Sequence, residues 1–368
     1  MYIDSIELTN FRNYESLELG FSEKTNILYG ENAQGKTNVL EAAYVGATTR
    51  SHRMTRDKDM IRFGADEAHI RLNVKKRDVG HRIDMQLRKT NGKSVNIDGI
   101  PIRRSSELFG LINIIFFSPE DLSIVKEGPA ERRRFMDAEI CQLSRIYYSN
   151  LSDYNKILNQ RNNLLREILN RRSKRASDED LLMTLDVWDM QLAQYGKRII
   201  EERHNFIRML YEVVQRVHSK ITGGREKIDI KYEPNVREDR IEEMLKSKRE
   251  ADFRSASTTV GPQRDDIGIY INENDVRVYG SQGQQRTAAL TLKLAEIELV
   301  REMISDTPIL LLDDVMSELD ERRRDALLGS IDGIQTILTC TGYGDFIRER
   351  VEQDRVYKVV QGKVYKES

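Results

Sequence analysis

The stretch that most constrains the fold of this 368-residue chain is Gly30-Glu31-Asn32-Ala33-Gln34-Gly35-Lys36-Thr37. It follows Thr25-Asn26-Ile27-Leu28-Tyr29, an apolar run that reads as a buried strand, and it precedes Asn38-Val39-Leu40-Glu41-Ala42-Ala43-Tyr44, whose apolar residues have helical spacing. A strand, a glycine-bearing loop and a helix in that order let successive backbone N–H groups face phosphate oxygens, and the first helical turn adds unpaired donors and its positive dipole end. In such a loop Lys36 reaches the β- and γ-phosphates and the Thr37 hydroxyl is placed for Mg²⁺. A glycine turn matching by chance would lack this flanking strand and helix.

A phosphate loop needs a carboxylate beside it. Pro308-Ile309-Leu310-Leu311-Leu312-Asp313-Asp314 reads as a fully buried strand that ends in two. Asp313 is the expected metal residue, because its carboxylate can hold the waters of Mg²⁺ while the strand stays dry. Asp314, one position on, faces the other side of the strand end, where a catalytic base orients an attacking water. Two aspartates there could also merely cap a helix start. Far along the chain, Ser281-Gln282-Gly283-Gln284-Gln285 opens the expected helix Arg286–Ile304 with a hydroxyl at its N-cap, a second anion-binding helix terminus. Two such termini are explained if each completes the other in a dimer, the loop of one protomer and the serine turn of its partner clamping one nucleotide.

The remaining pattern divides the chain. Tyr2–Leu8 and Glu15–Leu19 alternate as a hairpin, and Ala68–Lys75, His81–Lys89 and Lys93–Ile97 as an antiparallel sheet. Leu111–Phe117 reads as a buried strand, and Arg50–Lys58 as an exposed basic loop. From Pro129 to Ser219, Gly196 is the only glycine, Pro129 the only proline, and apolar residues recur at three- and four-residue spacing, so this is a helical arm. The polar break Arg171–Asp178 turns one long helix back on another. Lys227–Tyr232, Ile267–Ile271 and Val276–Tyr279 alternate like strands, Arg237–Phe253 like a helix, and helix Glu321–Leu328, strand Gln335–Leu338 and a hairpin at Gln361-Gly362 close an α/β lobe. The expected domains are 1–120, an ATPase lobe with the loop; 121–254, the helical arm; and 255–368, a second lobe.

Composition narrows the partners. The 59 basic and 60 acidic side chains leave a formal net charge of −1, so nucleic acid must be met by local basic patches. Charged residues reach 32%, above the roughly 25% of an average protein, which suits long solvated helix faces or a heat-adapted surface. Two cysteines, Cys141 and Cys340, make neither a disulfide framework nor a zinc site and fit a reduced cytoplasm. No signal pattern opens the chain, and no apolar run nears the ~20 residues that span a bilayer, so no membrane contact is expected.

Taken together these motifs resemble the heads of ABC-type ATPases. Within that class the chain is similar to the bacterial RecF family, relatives of SMC proteins in DNA replication, repair and recombination. The resemblance is carried by Asn10-Phe11-Arg12-Asn13-Tyr14, Gly35-Lys36-Thr37-Asn38-Val39-Leu40-Glu41, Phe117-Ser118-Pro119-Glu120-Asp121-Leu122, Arg132-Arg133-Arg134-Phe135-Met136-Asp137, Gly261-Pro262-Gln263-Arg264-Asp265-Asp266, the serine turn, the Asp-Asp strand and Ser317-Glu318-Leu319-Asp320. It implies an α/β, two-lobed ABC-type head with a helical arm inserted between the lobes, closing head to head as a homodimer around two ATP molecules. It also implies slow, DNA-linked ATP hydrolysis at the nucleoid, and work with RecO and RecR to load RecA at single-strand gaps. By the same resemblance Gly30, Glu31, Asn32, Ala33, Gln34, Gly35, Lys36 and Thr37 cradle the phosphates, Thr37 and Asp313 hold Mg²⁺, Arg12 lies near the nucleotide, and Ser281, Gly283 and Gln284 meet the γ-phosphate in trans. Asp320 ends the loop that crosses the dimer seam, and Asp314 takes the place usually held by a longer glutamate.

Two departures point to slow turnover. Thr339-Cys340-Thr341-Gly342 holds no switch histidine, and Phe117–Asp121 holds no metal-sensing glutamine. For double-stranded DNA, gapped or branched, the candidates are Arg50, Arg53 and Arg56, and secondarily Arg161, Arg166, Arg171, Arg172, Lys174 and Arg175, which could equally be an ordinary solvated face. Arg132–Arg134 are expected inside the arm–head junction. A transporter ATPase subunit is the alternative function, but it has no counterpart to the helical arm; a small-molecule kinase would leave the serine turn unexplained.

Overall fold

Five parallel strands put every chemically expected carboxyl end on one edge. The computed structural model describes residues 1–53, 56–90, 92–172, 179–304, 306–342 and 354–367. In it a six-stranded sheet runs in the order Lys363–Lys366, Arg355–Val360, Thr25–Tyr29, Thr336–Cys340, Ile309–Asp313, Ile114–Phe117, with only the first strand antiparallel to its neighbour. Ile27, Leu28 and Leu310–Leu312 are wholly buried, as strands covered on both faces must be. Register sets Asp313 beside Thr339, and Cys340 beside Tyr29, so the phosphate loop and the carboxylate pair leave the sheet at the same end. That edge is where open α/β sheets bind ligands.

A second, antiparallel sheet of six strands contains Tyr14–Gly20, Tyr2–Phe11, Glu67–Lys76, Val79–Arg88, Gly92–Ile97 and Ile100–Pro101 in that order. Its alternating Ile6, Leu8, Ile70, Leu72, Val74, Ile83 and Met85 join Val39, Leu40, Ala42, Ala43 and Val45 of helix Lys36–Thr48 in one core. The helix contacts both sheets, which explains its small residues: a Cβ at Gly46 would stand 2.5 Å from Leu72 Cδ1. Gln335 links the sheets, accepting from the Ile3 amide at 2.7 Å and donating to the Ile3 carbonyl at 2.7 Å. These strands and the first helix agree with the sequence reading to within a few residues, except that the strand expected over Leu111–Phe117 begins only at Ile114.

Ser123–Ala288 form the second compact unit, and Met1–Leu122 with Ala289–Ser368 the first. The expected boundary near 254 and the observed one differ over residues 255–288, which pack with the arm because Asp266–Ile271 pairs with Ile228–Glu233. Helices Pro129–Leu143, Arg145–Arg172 and Glu179–Thr222 make up the arm. Of the break expected over Arg171–Asp178, residues 173–178 lie outside the described residues. Two local expectations fail. Arg237–Phe253 is two short helices, Ile241–Ser247 and Arg249–Ser255, interrupted at Lys248. Val276–Tyr279 is a helical turn and not a strand, because the Asp275 carboxylate accepts from the Arg277 amide and caps it.

Buried arginines organise this unit. Arg161, a secondary DNA candidate, is wholly buried and donates to Asp189 at 2.6 Å, Asp252 at 2.7 Å and Thr258 at 2.9 Å, so its charge is matched internally and it is withdrawn as a DNA contact. Arg203 donates to Asp137 at 2.8 Å, Asp265 at 2.8 Å and the Pro262 carbonyl at 2.7 Å. Arg132 pairs with Asp266 at 2.6 Å, Arg133 reaches the Asp265 carbonyl, and Arg134 stays exposed, so the triple arginine is not one internal block. Breaking a buried pair leaves an uncompensated charge, so Arg203→Met is expected to destabilise the unit by about 3–5 kcal/mol. A denaturation midpoint equal to the parent's would contradict this. No helix among the described residues is long and apolar enough to cross a membrane.

Candidate nucleotide site

The loop between Tyr29 and Lys36 is built the way its glycines require. Gly30 has φ 152°, and a Cβ there would stand 2.3 Å from the Val359 carbonyl oxygen; Gly35 has φ 114°, and its Cβ would meet Asn13 Nδ2 at 2.6 Å. Both positions therefore exclude side chains. The outer face of the loop is fastened by residues the sequence reading gave no such role. Asn13 Nδ2 donates to the Gln34 carbonyl at 3.1 Å, the Tyr14 hydroxyl to the Gly35 carbonyl at 3.1 Å, and the Gly362 amide to the Gln34 carbonyl at 3.1 Å. Burial pushes the Tyr14 phenol far up, so it remains a donor.

Lys36 is not exposed. Its ammonium donates to the Gly30 carbonyl at 2.6 Å and the Glu31 carbonyl at 2.7 Å, and the residue is 6% exposed. Burial lowers its pKa, opposed by the nearby Asp314, Cys340 and Asp313. Thr37 Oγ1 donates to Asp313 Oδ1 at 2.8 Å, and Thr339 Oγ1 donates to the same oxygen at 2.7 Å. The two motifs on which the sequence reading rests, 276 residues apart, thus share a hydrogen bond. Thr339 also accepts from the Asp314 amide at 3.0 Å, a bridging role at the strand end where the histidine was missed.

Asp314 leaves the strand with φ 51° and starts the short helix Val315–Glu318 without a side-chain cap, so the helix-capping alternative does not account for its carboxylate. Burial raises its pKa, against the Ser317 hydroxyl and the Lys36 ammonium, with Asp313 and Glu318 adding to the rise. A raised carboxyl is a stronger base. Behind it Cys340 is pushed up to about 11 by burial and stays a thiol. The donor set fits a magnesium triphosphate: one ammonium, one hydroxyl and one carboxylate converge beside the Lys36 and Thr37 amides, which a helix start leaves without intrahelical acceptors.

Arg12 is engaged elsewhere than at the loop. It grips Glu41 at 2.8 and 2.7 Å through Nε and Nη2, and donates to the Asp59 carbonyl at 2.7 Å through Nη1. Burial opposes ionisation of Glu41, but Arg12 and the Ser51 hydroxyl outweigh it and hold the carboxyl below its usual range. Glu41 is therefore an organiser that only its place one turn beyond Thr37 could have suggested. The basic loop begins on this anchor and is less exposed than expected: burial lowers the His52 imidazole to about 4, and the neutral ring stacks on Phe116 at 3.7 Å. Arg50, Arg53 and Arg56 are exposed, Arg53 lying 4.0 Å from Glu120.

Ser281 belongs to the second unit and caps helix Gln282–Ile304, which starts four residues earlier than expected. Its hydroxyl accepts from the Gln284 amide at 3.2 Å while Gln284 Oε1 accepts from the Ser281 amide at 2.9 Å, a reciprocal capping box. Ser281, Gln282 and Gly283 are exposed. Asp320 caps helix Glu321–Leu328, accepting from the Arg323 amide at 2.9 Å. At the turn without glutamine, Asp121 accepts from the Ser118 amide at 2.6 Å, and burial raises its carboxyl to about 6.

Residues 2–363 match the family model described as RecF/RecN/SMC N terminal domain. The chain is 56% identical over 366 residues to the DNA replication and repair protein RecF of Lachnoclostridium phytofermentans, covering 100% of each. It is 44% identical over 369 residues to the RecF of Clostridium acetobutylicum, covering 99% of each. Among solved structures it resembles the recombination mediator protein RecF with ATP in the RecFOR pathway, at a TM-score of 0.90 and 36% identity over 100% of this chain and 98% of that one. An SMC head bound to the C-winged helix domain of ScpA matches at a TM-score of 0.57 and 16% identity over 100% of this chain and 98% of that one, a likeness of fold alone.

Proposed function

Because the chain belongs to the RecF/RecN/SMC family, and within it to the RecF proteins of DNA replication and repair, we propose that it is an ATP-gated DNA clamp of recombinational repair. Its fold is the α/β head of ABC- and SMC-type ATPases. In this reading ATP binds in the Gly30–Thr37 loop, and two molecules close head to head around two nucleotides. The closed dimer holds gapped duplex DNA and acts with RecO and RecR to load RecA. The observation that carries the reading is the convergence of Thr37 and Thr339 on Asp313 beside Lys36.

Each residue has a defined task. Loop amides and Lys36 bind the phosphates, Lys36 exchanging its two carbonyl acceptors for phosphate oxygens. Thr37 and Asp313 would hold Mg²⁺, whose chemistry there is to offset charge on the phosphates. Asp314 takes a proton from water at its carboxylate, and with no histidine beside it among the described residues turnover is slow. Ser281 and Gly283 of a second molecule add donors at the far side of the nucleotide. Arg50, Arg53 and Arg56 face DNA phosphates, with binding that is largely sequence-independent and salt-dependent.

Gel filtration with ATP, Mg²⁺ and gapped duplex tests this directly. Elution is expected to shift to the dimer with ATP and Mg²⁺, and further when the gapped duplex is added; identical elution in every condition would overturn the clamp. Ser281→Arg is expected to leave monomer ATP affinity intact and to abolish ATP-dependent dimerisation, since the exposed serine sits at a helix start that a long cation would obstruct. An Arg variant that dimerises like the parent would remove the in-trans role.

A further inference from the structure

Gln284, which the family resemblance sends to a γ-phosphate, has both ends of its side-chain amide engaged inside its own unit. Its Oε1 accepts from the Ser281 amide at 2.9 Å, and its Nε2 donates to Glu226 Oε1 at 3.0 Å. The partners fix which end is which, because a backbone amide only donates and a carboxylate only accepts. Glutamine answers both. An ionised glutamate would have no donor for Glu226, and a lysine no acceptor for Ser281. The Ser281 hydroxyl closes the same turn from the other side, accepting from the Gln284 amide at 3.2 Å. Its own proton goes to no acceptor among the described residues and is left for one outside.

Glu226 is held in turn. It follows Gly223 and Gly224, whose φ angles of 66° and 72° end the helix Glu179–Thr222. It precedes Lys227, whose amide donates to Asn272 Oδ1 at 3.0 Å and whose carbonyl accepts from the Asn272 amide at 2.9 Å. The Gly224 amide donates back to the Ser219 carbonyl at 2.9 Å, and Gln215 of the same helix donates to the Ile228 carbonyl. The backbone on both sides of Glu226 is therefore fixed to the end of the long arm helix. Its second carboxylate oxygen lies against that helix too, 3.6 Å from Nε2 of the wholly buried His218. One carboxylate thus spans from the arm helix to the serine turn.

We infer that Glu226 is the positioning residue of the serine turn: it holds Gln284 from the arm side, so that Ser281 is already ordered when a second molecule's nucleotide meets it. This rests on the head-to-head reading above and names what fixes the turn in that dimer. A glutamine ordered beforehand removes a cost that association would otherwise bear. The test measures ATP affinity of the dilute monomer by calorimetry and ATP-dependent dimerisation by sedimentation, for Glu226→Ala, Glu226→Gln, Gln284→Ala and the double variant Glu226→Ala/Gln284→Ala. Glu226→Ala is expected to weaken dimerisation about tenfold or more, the loss of a hydrogen bond to a charged group, with monomer ATP affinity at the Lys36 loop unchanged. Glu226→Gln, whose carbonyl still accepts from Gln284, should recover most of the loss. In the double variant Glu226→Ala should add nothing to Gln284→Ala, which a glutamate with a merely structural role would not do. A Glu226→Ala variant that dimerises like the parent, or single losses that sum in the double variant, overturns the positioning role and leaves the dimer standing. A parent that stays monomeric with ATP and Mg²⁺ overturns the dimer and the positioning role together.

Discussion

Lys36→Ala should lower ATP affinity roughly 30- to 5,000-fold, the effect of removing one member of a desolvated charge pair worth about 2–5 kcal/mol. Among the described residues no second ammonium reaches the centre of the loop: Lys36 spans from the first helix to the Gly30 and Glu31 carbonyls. Those two bonds also mean that the substitution is felt without nucleotide, at about 1 kcal/mol each. The loop keeps its course because Asn13, Tyr14 and Gly362 hold Gln34 and Gly35 from outside. Calorimetry should therefore show lost ATP binding in a protein whose melting temperature falls by only about a few degrees. Retained affinity would show that the phosphates lie elsewhere.

Asp314→Asn should slow ATP hydrolysis about 10²- to 10⁴-fold, the range of a general base, from a parent rate that is itself expected to lie below the ~1–100 s⁻¹ of kinases. The change is conformationally mild, because Asn tolerates the left-handed backbone that Asp314 adopts at φ 51°. ATP affinity should persist, since Asp313 keeps its two hydroxyl donors. The pH profile separates base from structure. Burial holds the Asp314 carboxyl above its ordinary value, so the parent loses rate on acidification already above the usual aspartate range, and the Asn variant has no such limb. An Asn variant that hydrolyses at the parental rate, or keeps the acid limb, would withdraw Asp314 as the base. In the proposed clamp, slow hydrolysis would time the DNA-bound dimer, whose lifetime should lengthen in the variant.

What was legible in the chain follows from how local each signal is. The loop, its strand and its helix were readable because glycine, lysine and threonine act through backbone geometry within eight residues. The Asp-Asp strand was readable because both of its faces are buried and its sequence is apolar without alternation. Arg161 was misread because a charge gives no sign in sequence of whether it meets water or Asp189 and Asp252. Glu41 and Thr339 were missed for the same reason: their partners, Arg12 in the turn after the first strand and Asp313 on the neighbouring strand, are 29 and 26 residues away in sequence. Val276–Tyr279 alternates as a strand would, yet one aspartate cap turned it into a helix, a local hydrogen bond overriding a four-residue pattern.

In the proposed dimer the nucleotide loop of one molecule and the serine turn of another make one site. Mixing Lys36→Ala with Ser281→Arg tests it most directly, because a head-to-head heterodimer of the two would keep one intact site, with the loop from the Ser281→Arg protomer and the serine turn from the Lys36→Ala protomer. Light scattering with ATP and Mg²⁺ is predicted to find each variant monomeric alone and a dimer in the mixture. A mixture that stays monomeric, or a variant that dimerises by itself, would contradict the shared site.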